Sequence, residues 1–286
     1  MKTEFIEPAT FSEAAALLAA RGGDAKIIAG GTAVALMLGQ KLIAPSTLIS
    51  LGRVSGGDSI QGDGDGLHIG ALTRLRAVER SAAVREFCPA LAKAFGVVGN
   101  VRIRNQATVG GNLAEADYAS DPPAMLLALN ARARTVSPAG EREIPLAEFF
   151  LGFYTTALAP DEIVTEVIVP PLAETARATY LKFASRSAED RPCVGVAAAA
   201  DFDEAGRCRD LRVAVGAAVE TPQRLAKAEA MAKGNKITDE LIAAVADEYS
   251  RSLDVLSDVR GSAWYRREMI GVFVRRALTE VRDGNR

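Results

Sequence analysis

Cysteine is scarce: Cys88, Cys193 and Cys208 are the only three in 286 residues, and none form a CxxC pair. Iron–sulfur clusters usually take four cysteine ligands, so the chain carries no self-contained cluster. The three thiols read as small buried hydrophobes in a reducing compartment. Histidine is scarcer still. His68, the only one, lies between Leu67 and Ile69, which reads as structural; its isolation also excludes a His-based metal site. No apolar run approaches the roughly 20 residues that span a bilayer. The first residues, Met-Lys-Thr-Glu-Phe-Ile-Glu-Pro, lack the apolar core of a secretory signal, so a cytoplasmic protein with no membrane span is expected. Neither charge sign is in excess, with 34 Lys and Arg against 36 Asp and Glu for a net −2. That gives no electrostatic case for nucleic acid or an anionic membrane. No strand is followed by GxGxxG, so the Rossmann dinucleotide device is missing too.

What the chain does have is hydrophobic residues at 49% with 24% charged, ordinary for a globular protein and enough for about two domains. It also has two glycine pairs far apart in sequence. The first lies in Lys26-Ile-Ile28-Ala29-Gly30-Gly31-Thr32-Ala33, where Ile27 and Ile28 end a buried strand and Val34 to Leu38 suggest a short helix. The second lies in Ala107-Thr108-Val109-Gly110-Gly111-Asn112. Adjacent glycines remove two Cβ atoms and allow positive φ, so a ligand can lie against backbone N–H groups. N–H groups in a turn make an anion-binding concavity, and a helix N-terminus adds its dipole. Taken singly, either pair is equally a tight turn. Together they suggest a diphosphate held from two sides.

These two motifs, followed by Ala119-Ser120-Asp121-Pro122-Pro123-Ala124, resemble the FAD-binding (medium) subunit of molybdenum hydroxylases. The type is the carbon monoxide dehydrogenase medium subunit, similar to the flavin domain of xanthine dehydrogenase. The resemblance continues through Tyr180 to Asp190 and Tyr265-Arg266-Arg267. It implies non-covalent FAD, with contacts from Ile28, Ala29, Gly30, Gly31, Thr32 and Ala33, from Thr108, Gly110, Gly111 and Asn112, and from Asp121, Ile163 and Lys182. It also implies partners, a large subunit with the molybdenum cofactor and a small iron–sulfur subunit, assembled as a dimer of heterotrimers.

The expected fold is α+β. A two-part FAD-binding domain over 1–173, a small βαβ-like unit (1–55) and a larger mixed α/β unit (56–173), precedes a C-terminal domain (174–286) of a three-stranded antiparallel sheet with helices. Ser12 is expected to cap the first helix and Thr73 the one running to Arg80. Pro89 opens another. Arg102 and Arg104 alternate with Val101 and Ile103 as in a strand. Asp121 precedes two prolines as an N-cap, ahead of Met125 to Leu129. The aromatic stretch Phe149–Tyr154 reads as core. Strands are expected at 178–183, 194–202 and 211–216, and helices at 222–233, 239–250 and 262–281. The last of these would have Trp264, Ile270, Phe273 and Leu278 on its apolar side. The polar loop 184–192 carries Arg186, Asp190 and Arg191. Lys182, by residue type alone, reads as a surface lysine.

Two positions depart from the relatives. Ala33 stands where several carry Ser or an acidic residue, which removes one hydrogen bond to the cofactor worth ~1 kcal/mol. Arg191 follows Asp190 where carbon monoxide dehydrogenases have a flavin-covering tyrosine, so that shield, and carbon monoxide as substrate, lack support. No cysteine-rich insertion for an extra cluster is present. The resemblance thus implies an oxidoreductase subunit that relays electrons from a partner's clusters to an external acceptor and has no catalytic acid or base of its own. Two alternatives stand beside it, a stand-alone flavin oxidoreductase and an assembly subunit that has lost FAD.

Overall fold

The computed structural model describes residues 3–284. The first unit comprises β1 (Glu4–Ile6), α1 (Phe11–Arg21), β2 (Ala25–Ile28), α2 (Thr32–Gly39) and β3 (Thr47–Ser50). Its sheet is parallel in the order β1-β3-β2, so the strand at Glu4–Ile6, which the sequence reading missed, supplies one edge. Thr10, not Ser12, caps α1: its Oγ1 accepts from Glu13 N at 3.1 Å, and Glu13 Oε2 accepts from Ala9 N at 2.8 Å. A carboxylate three residues on stabilises Thr10 as the cap by satisfying a second free amide.

The second unit follows with β4 (Ile60–Asp63), β5 (Gly66–Gly70), α3 (Leu75–Arg80), α4 (Ala82–Phe87), α5 (Pro89–Gly96), α6 (Val101–Gln106), α7 (Val109–Glu115) and α8 (Pro122–Ala128). It closes with β6 (Arg132–Ser137), β7 (Gly140–Pro145), α9 (Leu146–Phe149), β8 (Phe150–Gly152), β9 (Thr155–Thr156) and β10 (Ile163–Val169). The main sheet is antiparallel, β4-β5-β10-β6-β7. Arg102 and Arg104 are helical and not in a strand. Asn100 Oδ1 accepts from the amides of both Arg102 and Ile103, and that cap overrides a short alternation. Arg104 turns inward to Glu79 and to the carbonyls of Val98 and Gly99, a structural role. Thr73 caps nothing: its hydroxyl donates to Ser59 O and α3 starts after Arg74. Phe149 is core, whereas Leu151, Phe153 and Tyr154 are exposed on the β8–β9 hairpin.

The last unit comprises β11 (Arg177–Phe183), β12 (Val194–Phe202), β13 (Cys208–Gly216), β14 (Gln223–Arg224), α10 (Ala226–Ala230), α11 (Asp239–Ser252) and α12 (Ala263–Asp283). The sheet has a fourth, two-residue strand, β14, where a helix was expected to begin. Arg224 there reaches Glu229 in bidentate fashion, which holds the segment extended before α10. Strand β12, Val-Gly-Val-Ala-Ala-Ala-Ala-Asp-Phe, is covered on both faces. Ala197 and Ala199 pack with Leu91, Phe95 and the α8 residues, while Val196, Ala198 and Ala200 pack with α11 and α12. Alternate residues of a strand face opposite ways, and alanines let both layers approach closely. Trp264 is 71% exposed, contrary to expectation. At 100° per residue it lies opposite the stripe of Arg266, Ile270, Phe273, Ala277 and Val281 that α12 buries.

Candidate flavin site

Strand β2 ends at Ile28, the chain bends through Ala29 and Gly30, and Gly31 (φ +75°) starts α2. No side chain caps α2. Its first-turn amides, from Thr32 onward, have no intrahelical acceptor, and residues 29–33 are all partly open to solvent. Consecutive outward N–H groups with the positive end of a helix dipole suit an anion.

Gly30 has a different reason for being glycine. A Cβ there would penetrate the Gln106 carbonyl, 2.8 Å from its carbon and 3.0 Å from Ala107 Cα. The first motif therefore lies directly on the backbone that enters the second. The two bends, remote in sequence, are neighbours in space.

The second motif is not the open turn expected. Thr108 caps α7, with Oγ1 accepting from Gly111 N at 3.2 Å, and Gly110 and Gly111 form its first turn. Val109 N donates to Thr73 O (3.0 Å), Gly110 N to Ala71 O (2.8 Å) and Asn112 N to Thr108 O (2.9 Å). These amides are engaged within the chain, so they are not a free cradle for phosphate. Gly110 is glycine because its Cβ would lie 2.6 Å from Ala71 Cβ. Gly111 is exposed, although a Cβ there would lie 2.8 Å from Thr108 Oγ1, and the half-buried Asn112 carboxamide exchanges hydrogen bonds with Ser120 Oγ.

Asp121 and Lys182 meet across the two halves of the chain. Lys182 Nζ lies 3.1 Å from Asp121 Oδ2 and donates to Val97 O at 2.7 Å; its side chain is 8% exposed. It is not a surface lysine. Asp121 precedes α8 but makes no capping hydrogen bond, since Tyr180 and Lys182 claim both its oxygens. Burial pushes its carboxyl up to about 6, against the lowering pull of Lys182 and the Tyr180 hydroxyl. Ile163 lies in the apolar cluster with Ala15 and Ile49 on which Ala29 packs, so it backs the first motif from inside. Arg191, in loop 184–192, pairs with Asp117 at 2.9 Å.

The FAD-binding domain of molybdopterin dehydrogenases matches residues 1–172, and the C-terminal domain of the carbon monoxide dehydrogenase flavoprotein matches 179–281. The chain belongs to the FAD-binding subunit family of molybdenum hydroxylases. Among relatives of this family, subunit alpha of the 6-hydroxypseudooxynicotine dehydrogenase complex of Paenarthrobacter nicotinovorans is 35% identical, over 97% of this chain and 93% of its own. The nicotine 6-hydroxylase medium subunit of the same organism is also 35% identical, over 96% of each. The solved carbon monoxide dehydrogenase of Hydrogenophaga pseudoflava superposes with a TM-score of 0.93 at 32% identity, covering 98% of this chain and 96% of that one. Relatives with the fold are dehydrogenase subunits, and the FAD-binding unit followed by an antiparallel sheet with helices is the family's architecture.

The residues on hand fit FAD. The α2 N-terminus supplies unclaimed donors, Gly31 is partly open to solvent and Gly111 exposed, and Lys182 supplies a buried cation paired with Asp121. A cavity of about 540 Å³ lies elsewhere, between Arg177, Phe202, Lys236 and Arg282, and includes none of these residues. Sequence reasoning missed Tyr180, although the Tyr180-Leu181-Lys182 alternation on a strand already put both polar ends on one face. It also missed Arg266, fully buried, whose guanidinium donates to Asp258 and to the Ala217 carbonyl. Asp258 in turn accepts from Tyr118, three residues before Asp121, at 2.8 Å. Among the described residues no helix is long and apolar enough to cross a membrane.

Proposed function

We propose that the chain binds FAD non-covalently and relays electrons in a heteromeric molybdenum hydroxylase, from a partner's iron–sulfur clusters to an external acceptor. The observation that carries this reading is the packing of Gly30 onto Gln106 and Ala107, which brings the two glycine motifs side by side. The first-turn amides of α2, after Gly31, bind the diphosphate. Gly111 and Asn112 border it from the second motif, and Asp121 and Lys182 hold polar groups elsewhere on the cofactor. Ala29, Ile28 and Ile163 support the first bend. When bound, the flavin ring supplies the redox chemistry; this chain binds it, orients it and sets its electrostatic surroundings. No His or Cys stands in the glycine motifs to attach flavin covalently. Substrate oxidation belongs to a large partner carrying the molybdenum cofactor, in a dimer of heterotrimers in the cytoplasm.

The test is visible absorption of the purified chain with identification of its co-purifying subunits. Flavin bands, and bleaching of those bands by substrate only when the partners are present, are expected. A preparation that stays colourless with added FAD rules the reading out. A yellow chain that oxidises small molecules alone would favour the stand-alone oxidoreductase.

A further inference from the structure

We propose that Tyr180 is a positioning residue of the flavin site, its buried hydroxyl holding the Asp121 carboxylate in place against the Lys182 ammonium. This rests on the reading that Asp121 and Lys182 contact FAD. Tyr180 is fully buried on β11 and donates to Asp121 Oδ1 at 2.8 Å; Lys182, on the same face of that strand, donates to Oδ2. The two oxygens of one carboxylate thus have separate donors, and rotating the carboxyl breaks both bonds. The place for the hydroxyl is built. On β12, opposite Lys182, residue 195 is glycine, and a Cβ there would lie 2.5 Å from the Tyr180 hydroxyl. Lys182 has three N–H donors and the chain takes two, at Asp121 and Val97, leaving one for the cofactor.

The charged and titratable groups facing Asp121 are Lys182, Tyr180 and Asp117. Burial and Asp117 favour the neutral acid, whereas Lys182 and the tyrosine hydroxyl favour the carboxylate. Removing the hydroxyl therefore raises the pH at which Asp121 takes a proton and frees Lys182 from its anchor. A tyrosine that only fills space would leave that pH unchanged.

The experiment follows FAD release from the holoprotein by flavin fluorescence during acidification. Tyr180→Phe, which keeps the ring, is expected to move the release midpoint up by roughly one pH unit. Gly195→Ala displaces the same hydroxyl from the other side and is expected to give a shift in the same direction; this second variant keeps the test decidable if one protein misfolds. In an Asp121→Asn background, Tyr180→Phe is expected to have no further effect on the midpoint. If Asp121→Asn itself retains FAD like the wild type, the site reading fails and the proposal falls with it. If Asp121→Asn weakens FAD but Tyr180→Phe and Gly195→Ala leave the midpoint in place, only the positioning role is overturned.

Discussion

Replacing Gly30 by alanine adds a single methyl group where the two glycine motifs touch. The φ of Gly30 is not in the left-handed region, so the substitution carries no backbone penalty and its effect is purely steric. The new Cβ meets only backbone of Gln106 and Ala107, which cannot rotate away. Relief requires the segments to separate by about 1 Å, against a tolerance of roughly 0.5 Å for a preorganised site. Overpacking of this kind costs about 1–3 kcal/mol, which for a chain of this size lowers Tm by roughly 2–4 °C per kcal/mol. FAD affinity is expected to fall at least tenfold, read by quenching of flavin fluorescence on titration. Gly31→Ala serves as the comparison. Its Cβ meets Ile28 Cδ1 at an ordinary 3.5 Å, but φ is +75°, so its cost is conformational, about 1–2 kcal/mol. Gly31→Asn should recover part of that loss, because asparagine visits this region more readily; no side chain rescues position 30. A Gly30→Ala protein with wild-type Tm and wild-type FAD affinity would refute the contact as a requirement of the site.

Other variants probe the scaffold. Glu162 accepts from both Arg142 Nε and Nη2 at 2.6 Å; burial would raise its carboxyl, but Arg142, Thr135 and the Ala159 amide bring it down to about 2. Its stabilisation is therefore present above the ordinary 4.5 and lost as pH falls from there toward 2. Glu162→Gln should cost about 2 kcal/mol at neutral pH, discounted because Arg142 is half-exposed, and much less near pH 2 by urea unfolding; equal losses at both would contradict the ion pair. His68 is shifted up, the pull of Glu166 and Asp63 outweighing burial, so its contribution is present in mild acid and lost as pH rises through its folded value. His68→Asn should then destabilise more in mild acid than in mild alkali and leave FAD binding unchanged. Arg266→Ala, which strips a fully buried guanidinium from Asp258, should cost about 3–5 kcal/mol, whereas Trp264→Ala on the same helix should change stability by less than about 0.5 kcal/mol in thermal melts.

Much of the fold was legible because its signals are local. The strands at 178–183 and 194–202, Pro89 at a helix start and the helix at 239–250 each rest on neighbours within a few residues, and each element formed. The strand–bend–helix at Ile28–Thr32 was equally plain. Local rules misled where a nearby polar group outbid them, as Asn100 did in turning the Arg102–Arg104 alternation into a helix.

The sequence by itself determined the two glycine motifs, the fold class and the family. Only the tertiary structure decided what each glycine is for. Gly30 and Gly110 accommodate backbone and Ala71, Gly111 accommodates the Thr108 cap, whose Oγ1 would lie 2.8 Å from a Cβ there, and Gly31 takes its positive φ at a partly open bend. It also decided that Lys182 and Asp121 are a buried pair, that the Tyr180 hydroxyl donates to Asp121, and that Arg266 lies inside. The reason is that burial and ion pairing depend on which segments meet in space. A lysine on a strand carries no local mark of an aspartate 61 residues earlier, whereas a helix or a turn is already written in the spacing of its own residues.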